Sequence, residues 1–321
     1  MKKIIKGILL FLVVTVTAVL LYVKLALPNV GETEYLTIKS SASRLERGKY
    51  LANNVCVCID CHSTRNWNEF SGPLVEGTLG KGGEVFDQRF GFPGSFYSKN
   101  ITPSSIGDWT DGEVLRAIAS GVAKDGRALF PVMPHPRFGK MDKEDLESII
   151  VYLRSLKPIE NIVPESKADF PMNFIINTIP KEPHFSKKPD ESDAVAYGGY
   201  LFNAASCAEC HSKQEKGKPI AGMELAGGFE FPMVSGGTAL SSNITQDEVT
   251  GIGKWSEEDF VKRFKSYTDS SYVSAKVSKG NFNTVMPWTM YGGMKEQDLK
   301  AIYAYLKTIK PIKNSVVKFV N

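Results

Sequence analysis

Four cysteines and two histidines recur in one short pattern at two places in the chain. The two copies are Cys58-Ile59-Asp60-Cys61-His62 and Cys207-Ala208-Glu209-Cys210-His211. The spacing C-x-x-C-H is the attachment signal for haem c, because two thiols add to the porphyrin vinyl groups and the adjacent histidine binds the iron. The sequence therefore predicts two covalently bound haem c groups, with His62 and His211 as proximal iron ligands.

Two other chemistries also use paired cysteines. Four cysteines in two C-x-x-C pairs can hold zinc, but 145 residues lie between Cys61 and Cys207, against about 15–20 in the usual zinc site. A thioredoxin-like dithiol needs a strand before the pair and a helix after it, and neither pair shows that pattern. The histidine after each pair favours haem attachment over both.

A methionine followed by proline comes after each motif, in a loop just before the last helix of its segment. These residues are Met133 and Met286. Methionine opposite histidine raises the potential of haem iron and suits electron transfer. The repeated position predicts Met133 and Met286 as the sixth iron ligands. Met141 and Met294 are paired as well, but their place at the start of a helix favours a core role.

Two residues of the first segment have no counterpart in the second. His135 follows Met133 closely and competes with it as an iron ligand, whereas Trp288 or Thr289 falls at that position in the second segment. Cys56 is left over once four cysteines are assigned to haem. A packed free thiol is its ordinary interpretation, and an intermolecular disulfide or a redox role is the alternative.

An asparagine and a tryptophan also occupy matching positions in both segments. Asn100 with Trp109 corresponds to Asn243 with Trp255. Their side-chain N–H groups can donate hydrogen bonds to haem propionates, since a buried indole usually finds a partner. The alternative is helix capping by the asparagines and core packing by the tryptophans.

These pairs belong to an internal repeat, the sequence signature of duplicated structural units. Further matches are Tyr50-Leu51 with Tyr200-Leu201, Asn100-Ile101-Thr102 with Asn243-Ile244-Thr245, and Lys157-Pro158-Ile159 with Lys310-Pro311-Ile312. The order never changes along the chain. The sequence therefore predicts two copies of one domain, at 40–160 and 191–316, joined by a proline-rich linker at 161–190.

Helical periodicity dominates the coarse secondary structure. Short helices are expected at 45–53 and 194–203, before the two motifs, and capping boxes at Thr110 and Ser256 open two further helices. Each copy closes with an amphipathic helix. The glycine- and proline-rich stretches 71–98 and 217–242 are expected to be loops. These patterns predict a mainly α fold.

The first 28 residues predict a membrane anchor. Lysines at 2, 3 and 6 precede an uncharged run at 7–23, which Lys24 closes. Seventeen helical residues span about 25 Å, close to the ~30 Å hydrocarbon core of a bilayer. A cleaved signal peptide is the alternative. In both cases the lysines stay in the cytoplasm and the haem domains lie in the periplasm, and an uncleaved helix gives a single pass through the bacterial inner membrane.

Composition and charge exclude several classes. The chain has 321 residues, of which 42% are hydrophobic and 23% charged, as is typical of globular domains and not of a disordered or polytopic membrane protein. The net charge of +4 comes from the four lysines of the first 24 residues, and the rest carries 35 basic and 35 acidic side chains. No basic face points to nucleic acid.

The motifs resemble those of dihaem c-type cytochromes related to the cytochrome subunits of membrane-bound alcohol and gluconate dehydrogenases. The shared segments are R-G-x-Y-L at 47–51, C-x-x-C-H, N-I-T-P at 100–103, G-I-G-x-W at 251–255, M-P, and D-L-x-x-I-x-x-Y-L at 145–153. The resemblance covers about 40–315. It implies two tandem cytochrome c domains, the axial pairs His62 with Met133 and His211 with Met286, and periplasmic electron transfer. The related subunits typically carry three haems and a C-terminal anchor.

These observations predict an electron-transfer protein without a catalytic residue. The expected donor is a quinol-oxidising complex or a periplasmic dehydrogenase, and the expected acceptor is an oxidase or a soluble cytochrome. The alternative is a dihaem cytochrome c peroxidase, which keeps one haem open to peroxide. The repeated Met-Pro pair favours the electron carrier, because it closes both iron sites.

Overall fold

The computed structural model describes residues 1–215 and 217–321. Helices account for 38% of the chain, while each strand is two to four residues long. The helices are α1 Lys2–Leu25, α2 Ala42–Tyr50, α3 Cys58–Cys61, α4 Pro103–Ile106, α5 Asp111–Ser120, α6 His135–Phe138, α7 Lys143–Ser155, α8 Met172–Ile175, α9 Ala194–Ala204, α10 Cys207–His211, α11 Glu257–Lys265, α12 Trp288–Tyr291 and α13 Glu296–Leu306. The strands are β1 Val85–Phe86, β2 Gly94–Tyr97, β3 Lys167–Ala168, β4 Gln214–Glu215, β5 Lys218–Pro219, β6 Glu230–Pro232, β7 Thr238–Leu240 and β8 Phe319–Val320.

The expected helix starts are present. The Thr110 side chain accepts from the Glu113 backbone N–H while the Glu113 carboxylate accepts from the Thr110 backbone N–H, and Ser256 with Asp259 forms the same capping box at α11. Each box satisfies two N–H groups that have no partner inside the helix. The short helices before the two motifs form as well, as α2 and α9, and a π-helical turn at Leu51–Val55 extends α2.

Two close helix crossings build the core. We call residues 40–160 the first half and 191–316 the second half. In the first half α2 packs on α7, and in the second α9 packs on α13. A Cβ atom at Gly48 would lie 1.8 Å from the carbonyl oxygen of Ser148, and one at Gly198 would lie 1.8 Å from that of Ala301. Only glycine permits this approach of two backbones.

The stretches expected as loops contain short strands, which corrects the sequence-based interpretation. β2 pairs antiparallel with β1 and with β3, and β7 pairs antiparallel with β6 and with β8. β4 pairs antiparallel with β5. The local composition did not indicate these strands, because each is only two to four residues long. In addition, β2 and β7 have partners, β3 and β8, that come from distant parts of the chain.

The stretch 161–190 returns to the first half instead of running freely between the halves. It contains β3, α8 and a 3-10 turn at Ile176–Thr178. The Asn177 amide donates to the carbonyl oxygen of Val23 at 3.2 Å, and the Lys24 ammonium lies 5.7 Å from the Phe174 ring centroid. This stretch therefore packs against the end of α1. Along α1 itself no residue is buried.

Candidate haem sites

Each C-x-x-C-H segment begins with the same unusual turn. Val57 precedes α3 with φ +47°, and Ser206 precedes α10 with φ +54°. A β-branched residue rarely adopts this left-handed conformation, so the surrounding fold must hold Val57 there. The shared turn places the first cysteine of each motif, Cys58 and Cys207, at the first residue of a helix.

Two cavities lie beside the two motifs. Their volumes are about 470 and 550 Å³, within the range of about 300–1,000 Å³ for cofactor pockets. The first cavity is bordered by Cys58, Cys61, His62, Asn100, Trp109 and Met133, and the second by Cys207, Cys210, His211, Asn243, Trp255 and Met286. The structure thus places the residues singled out in the sequence around two matching cavities.

Both motif histidines are oriented by a backbone carbonyl. His62 Nδ1 lies 2.6 Å from the oxygen of Lys99, and His211 Nδ1 lies 2.8 Å from that of Ser242. Because a carbonyl only accepts, Nδ1 carries the proton, and Nε2 keeps a lone pair for a metal. Burial lowers the pKa of both imidazoles below its usual value. Neutral, oriented imidazoles fit iron ligation.

The motif cysteines do not have the character of a redox dithiol. Burial raises the pKa of Cys58, Cys61 and Cys207 to about 12. Catalytic C-x-x-C pairs instead lower the pKa of a thiol to about 7 or below, so that a thiolate forms. The raised pKa values argue against thiol exchange, and the position of the thiols beside the cavities fits thioether attachment.

Three further sulfur-containing side chains, Met141, Met294 and Cys56, are buried. Met141 is fully buried and Met294 is 1% exposed, although Met294 also borders the second cavity. The Cys56 thiol is buried and donates to Met141 Sδ at 3.8 Å. Burial also raises the pKa of Cys56 well above its usual value. These contacts favour the interpretation of Cys56 as a packed free thiol.

His135 lies outside the wall of the first cavity. Its side chain is 1% exposed, and a Cβ atom at Gly121 would lie 2.5 Å from the imidazole Nε2. Among the described residues that Nε2 has no hydrogen-bond partner, and burial lowers the His135 pKa to about 4. The imidazole thus fills the space left by a glycine, whereas Met133 borders the cavity.

The two asparagines bind the backbone in the same way. Asn100 Nδ2 donates to Ser104 Oγ and to Ile159 O, and its Oδ1 accepts from Thr102. Asn243 Nδ2 likewise donates to Thr250 Oγ1 and to Ile312 O. Protein acceptors therefore occupy the amide hydrogens that we expected to point at propionates. The asparagines fasten the Lys-Pro-Ile segment after each closing helix instead.

Several residues that border the cavities were not indicated by any sequence motif. Asn173, Ile176 and Asn177, in the stretch expected to be a linker, border the first cavity, and Asn173 Oδ1 is buried without a partner among the described residues. Phe70 of the first half borders the second cavity. The apolar residues between Pro171 and Pro180 were the only local sign that this stretch packs against the rest of the protein. A solvated linker does not need apolar residues.

Two tyrosines at matching positions connect the halves reciprocally. Tyr50 donates to Asp298 at 2.5 Å, and Tyr200 donates to Asp145 at 2.6 Å. Asp145 also receives two hydrogen bonds from Arg47, at 2.9 and 2.7 Å. Burial and the neighbouring carboxylate raise the pKa of each tyrosine well above its usual value, so the hydroxyl stays protonated. Each tyrosine thus binds the closing helix of the opposite half.

Removing either tyrosine hydroxyl is expected to weaken the fold. Tyr50→Phe should lower the free energy of unfolding by about 1.5–3 kcal/mol, because among the described residues no other side chain donates to the buried Asp298 carboxylate. Tyr200→Phe should lower it by about 0.5–1.5 kcal/mol, because Arg47 still donates to Asp145. Tyr272→Phe is the control, since among the described residues its hydroxyl has no partner; it should change stability by less than about 0.5 kcal/mol. Urea unfolding measures all three, and equal effects would contradict the prediction.

The class of the second half follows from its match to a known family. Residues 195–310 match the cytochrome c family model. This part of the chain contains the second C-x-x-C-H motif, His211 and Met286. It therefore carries a cytochrome c domain, which binds haem c covalently and transfers electrons.

Most of the chain also resembles larger cytochrome subunits. It is 27% identical, over 86% of its length, to the alcohol dehydrogenase (quinone) cytochrome c subunit of Gluconacetobacter polyoxogenes. It is 28% identical, over 83% of its length, to the gluconate 2-dehydrogenase cytochrome c subunit of Pantoea cypripedii. The chain spans only 58% and 59% of these relatives. A diheme cytochrome c-type of Cereibacter sphaeroides is 24% identical over 79% of this chain and 82% of its own length. The resemblance indicated by the motifs is confirmed.

Proposed function

We propose that this chain is a membrane-anchored periplasmic dihaem cytochrome c that carries electrons between redox proteins. The observation that carries the proposal is one residue set found twice. Each cavity is bordered by two cysteines, by a histidine whose Nδ1 donates to a carbonyl, and by a methionine from the loop before the closing helix. The first half lies outside 195–310 but has the same set. This supports two tandem cytochrome c domains, at 40–160 and 191–316, with two haem c groups.

The residues around each cavity are suited to electron transfer, a process in which no covalent bond is formed or broken. Bound haem supplies one-electron chemistry, since its iron alternates between two oxidation states. His62 and His211 are held neutral for ligation, and Met133 and Met286 border the same cavities as their histidines. Apolar side chains such as Ile101 and Leu129 in the first cavity keep water away from the ligands. This arrangement requires no acid, base or nucleophile.

The partners that we propose are redox proteins. The relatives above are named as cytochrome subunits of dehydrogenases, which supports such a partner. For this chain we propose a periplasmic dehydrogenase or a quinol-oxidising complex as donor, and an oxidase or a soluble cytochrome as acceptor. Encounters between redox proteins are usually small and partly electrostatic.

Helix α1 supports the membrane anchor. It is the helix, among the described residues, that is long and apolar enough to cross a membrane. Its 24 residues span about 36 Å, which exceeds the ~30 Å hydrocarbon core. Lysines at 2, 3 and 6 would stay in the cytoplasm, so a single pass through the bacterial inner membrane places both halves in the periplasm.

Haem counting and spectroscopy of the full chain, purified from membranes, test the proposal. We expect two covalent haems, both low-spin with the far-red methionine–iron band, and no reaction with peroxide. Cys61→Ala and Cys210→Ala should each remove one thioether bond from the haem at the substituted motif. The haem at the other motif should keep both of its thioether bonds. Cys56→Ala is the matched control, because its thiol contacts Met141, and it should keep both haems fully attached.

A dihaem peroxidase makes a different prediction for the same sample. One high-spin haem that reacts with peroxide would overturn the electron-carrier proposal and the methionine assignment at that site. Retention of full attachment in Cys61→Ala or Cys210→Ala would contradict the attachment sites.

A further inference from the structure

A serine of the first half holds the methionine loop of the second half. Ser71 Oγ donates to the carbonyl oxygen of Met286 at 2.5 Å and accepts from the backbone N–H of Trp288 at 3.1 Å. The Ser71 backbone N–H donates to Asn283 Oδ1 at 2.9 Å. One residue thus binds the chain on both sides of Met286, from a position 215 residues away in the sequence.

Ser71 is itself fixed by contacts that start at the first C-x-x-C-H motif. Arg65 pairs with Asp60 of that motif at 2.9 Å, and both side chains are less than 10% exposed. The Arg65 guanidinium also donates to the carbonyl oxygens of Ser71, at 2.7 Å, and Gly72, at 3.0 Å. Ser71 is 1% exposed and has φ +66°, a conformation that non-glycine residues adopt only when the surroundings enforce it.

The methionine loop of the first half is held differently. The carbonyl oxygen of Met133 accepts from the His135 backbone N–H at 2.7 Å, as that of Met286 accepts from Trp288 at 2.9 Å. Contact across the halves comes there from Arg137, whose carbonyl oxygen accepts from Asn203 Nδ2 at 3.0 Å. The Arg137 side chain pairs with Glu209 at 2.6 Å, with both side chains about one third or more exposed. That ion pair reaches α6 and not Met133 itself. The serine contact is therefore an addition at the second site.

We propose that Ser71 is a positioning residue for Met286, so that the first half controls how firmly the second haem keeps its methionine ligand. The proposal rests on the proposed function, in which Met286 is that ligand. A methionine binds iron more firmly when its backbone is already ordered. If the loop is mobile, ligation must also offset the conformational entropy that the loop loses. The Ser71 hydroxyl orders the loop by binding the carbonyl of Met286 and the N–H of Trp288 together.

Ligand competition on the full-length holoprotein tests the proposal. Exogenous imidazole, added while spectra are recorded, displaces a weakly held methionine. Ser71→Ala should raise the imidazole affinity of the second haem by about three- to tenfold, the effect of one lost hydrogen bond, lower its reduction potential, and leave the first haem unchanged. The second haem is identified as the one whose methionine–iron band disappears in Met286→Leu.

Ser274→Ala is the matched control for a general loss of contact between the halves. Ser274 Oγ donates to the carbonyl oxygen of Phe70 at 2.8 Å, next to Ser71, but does not touch Met286. An unchanged imidazole affinity in this variant supports the proposal. Equal effects of Ser71→Ala and Ser274→Ala, or no effect of Ser71→Ala, would overturn it.

A second variant covers the case in which Ser71→Ala does not yield holoprotein. Arg65→Lys keeps the hydroxyl but loses the guanidinium that holds the Ser71 and Gly72 carbonyls, and it should weaken the second methionine–iron bond in the same direction. An unchanged second haem in Arg65→Lys overturns the proposal. Absence of a second covalent haem, or of its methionine band, in the unsubstituted chain overturns the proposed function and the inference with it.

Discussion

Replacing Met286 by leucine is expected to lower the reduction potential of one haem by about 0.1–0.3 V, a part of the ~0.8 V range that axial ligands set, and to leave the other haem unchanged. Leucine keeps the volume of the side chain but has no sulfur. In the proposed ligation, the methionine sulfur is the ligand that favours ferrous iron, and leucine removes it. Met133→Leu should give the same shift at the other haem. Potentiometric titration with visible and EPR spectra separates the two.

Met141→Leu is the control for the packing change. Met141 is fully buried and contacts the Cys56 thiol, but it does not border either cavity. A volume-conserving exchange of this kind usually costs less than about 1.5 kcal/mol, and both potentials should stay the same. A potential shift in Met294→Leu in place of Met286→Leu would transfer the second ligand assignment to Met294, which also borders that cavity.

Replacing Gly198 by alanine is expected to destabilise the second half by about 3 kcal/mol or more. The added Cβ would lie 1.8 Å from the carbonyl oxygen of Ala301, so α9 and α13 must separate and their buried side chains lose contact. The better helix propensity of alanine, about 1 kcal/mol, is too small to offset this. Urea unfolding, followed by circular dichroism, measures the loss.

The adjacent glycine provides a matched control in the same helix. A Cβ at Gly199 would lie 3.1 Å from ring atoms of Tyr305, a side chain that can move, so Gly199→Ala should change stability by less than about 1 kcal/mol. Gly48→Ala should behave like Gly198→Ala, because its Cβ would lie 1.8 Å from the Ser148 carbonyl. Similar effects of Gly198→Ala and Gly199→Ala would contradict the backbone-contact explanation.

Patterns of neighbouring residues allowed much of the secondary structure to be predicted. The capping boxes at Thr110 and Ser256 open helices as expected. The closing helices bury the apolar faces expected from their spacing, including Leu146 and Leu299. Helix signals of this kind are local, because capping bonds and an amphipathic face both arise within a few turns.

The short strands and the cover of the first cavity could not be predicted in the same way. β3 pairs with β2 from about 70 residues further along the chain, and β8 pairs with β7 from about 80. A two-residue strand has no recognisable alternation of its own. The same holds for Asn173 and Asn177, whose approach to the first cavity depends on how the chain returns between the halves.

The repeat predicted matching residues in the two halves. It did not show whether each residue binds a partner in its own half or in the opposite one. Tyr50 and Tyr200 match in the sequence, and each binds an aspartate of the opposite half. That exchange arises from the reciprocal packing of two similar surfaces, as in a twofold dimer. Asn100 and Asn243 matched as well, and their amides bind backbone carbonyls that only the folded chain brings near.

Local patterns were sufficient to predict the haem chemistry: two C-x-x-C-H motifs, two Met-Pro pairs and the order in which they repeat. Spacing of a few residues is enough for this, because haem attachment depends on a cysteine pair and its neighbouring histidine. Which parts of the chain surround each cavity depends instead on long-range contacts in the folded chain. Phe70 and Ser71 of the first half meet the second site across more than 200 residues of sequence, and no local pattern encodes a contact at that separation.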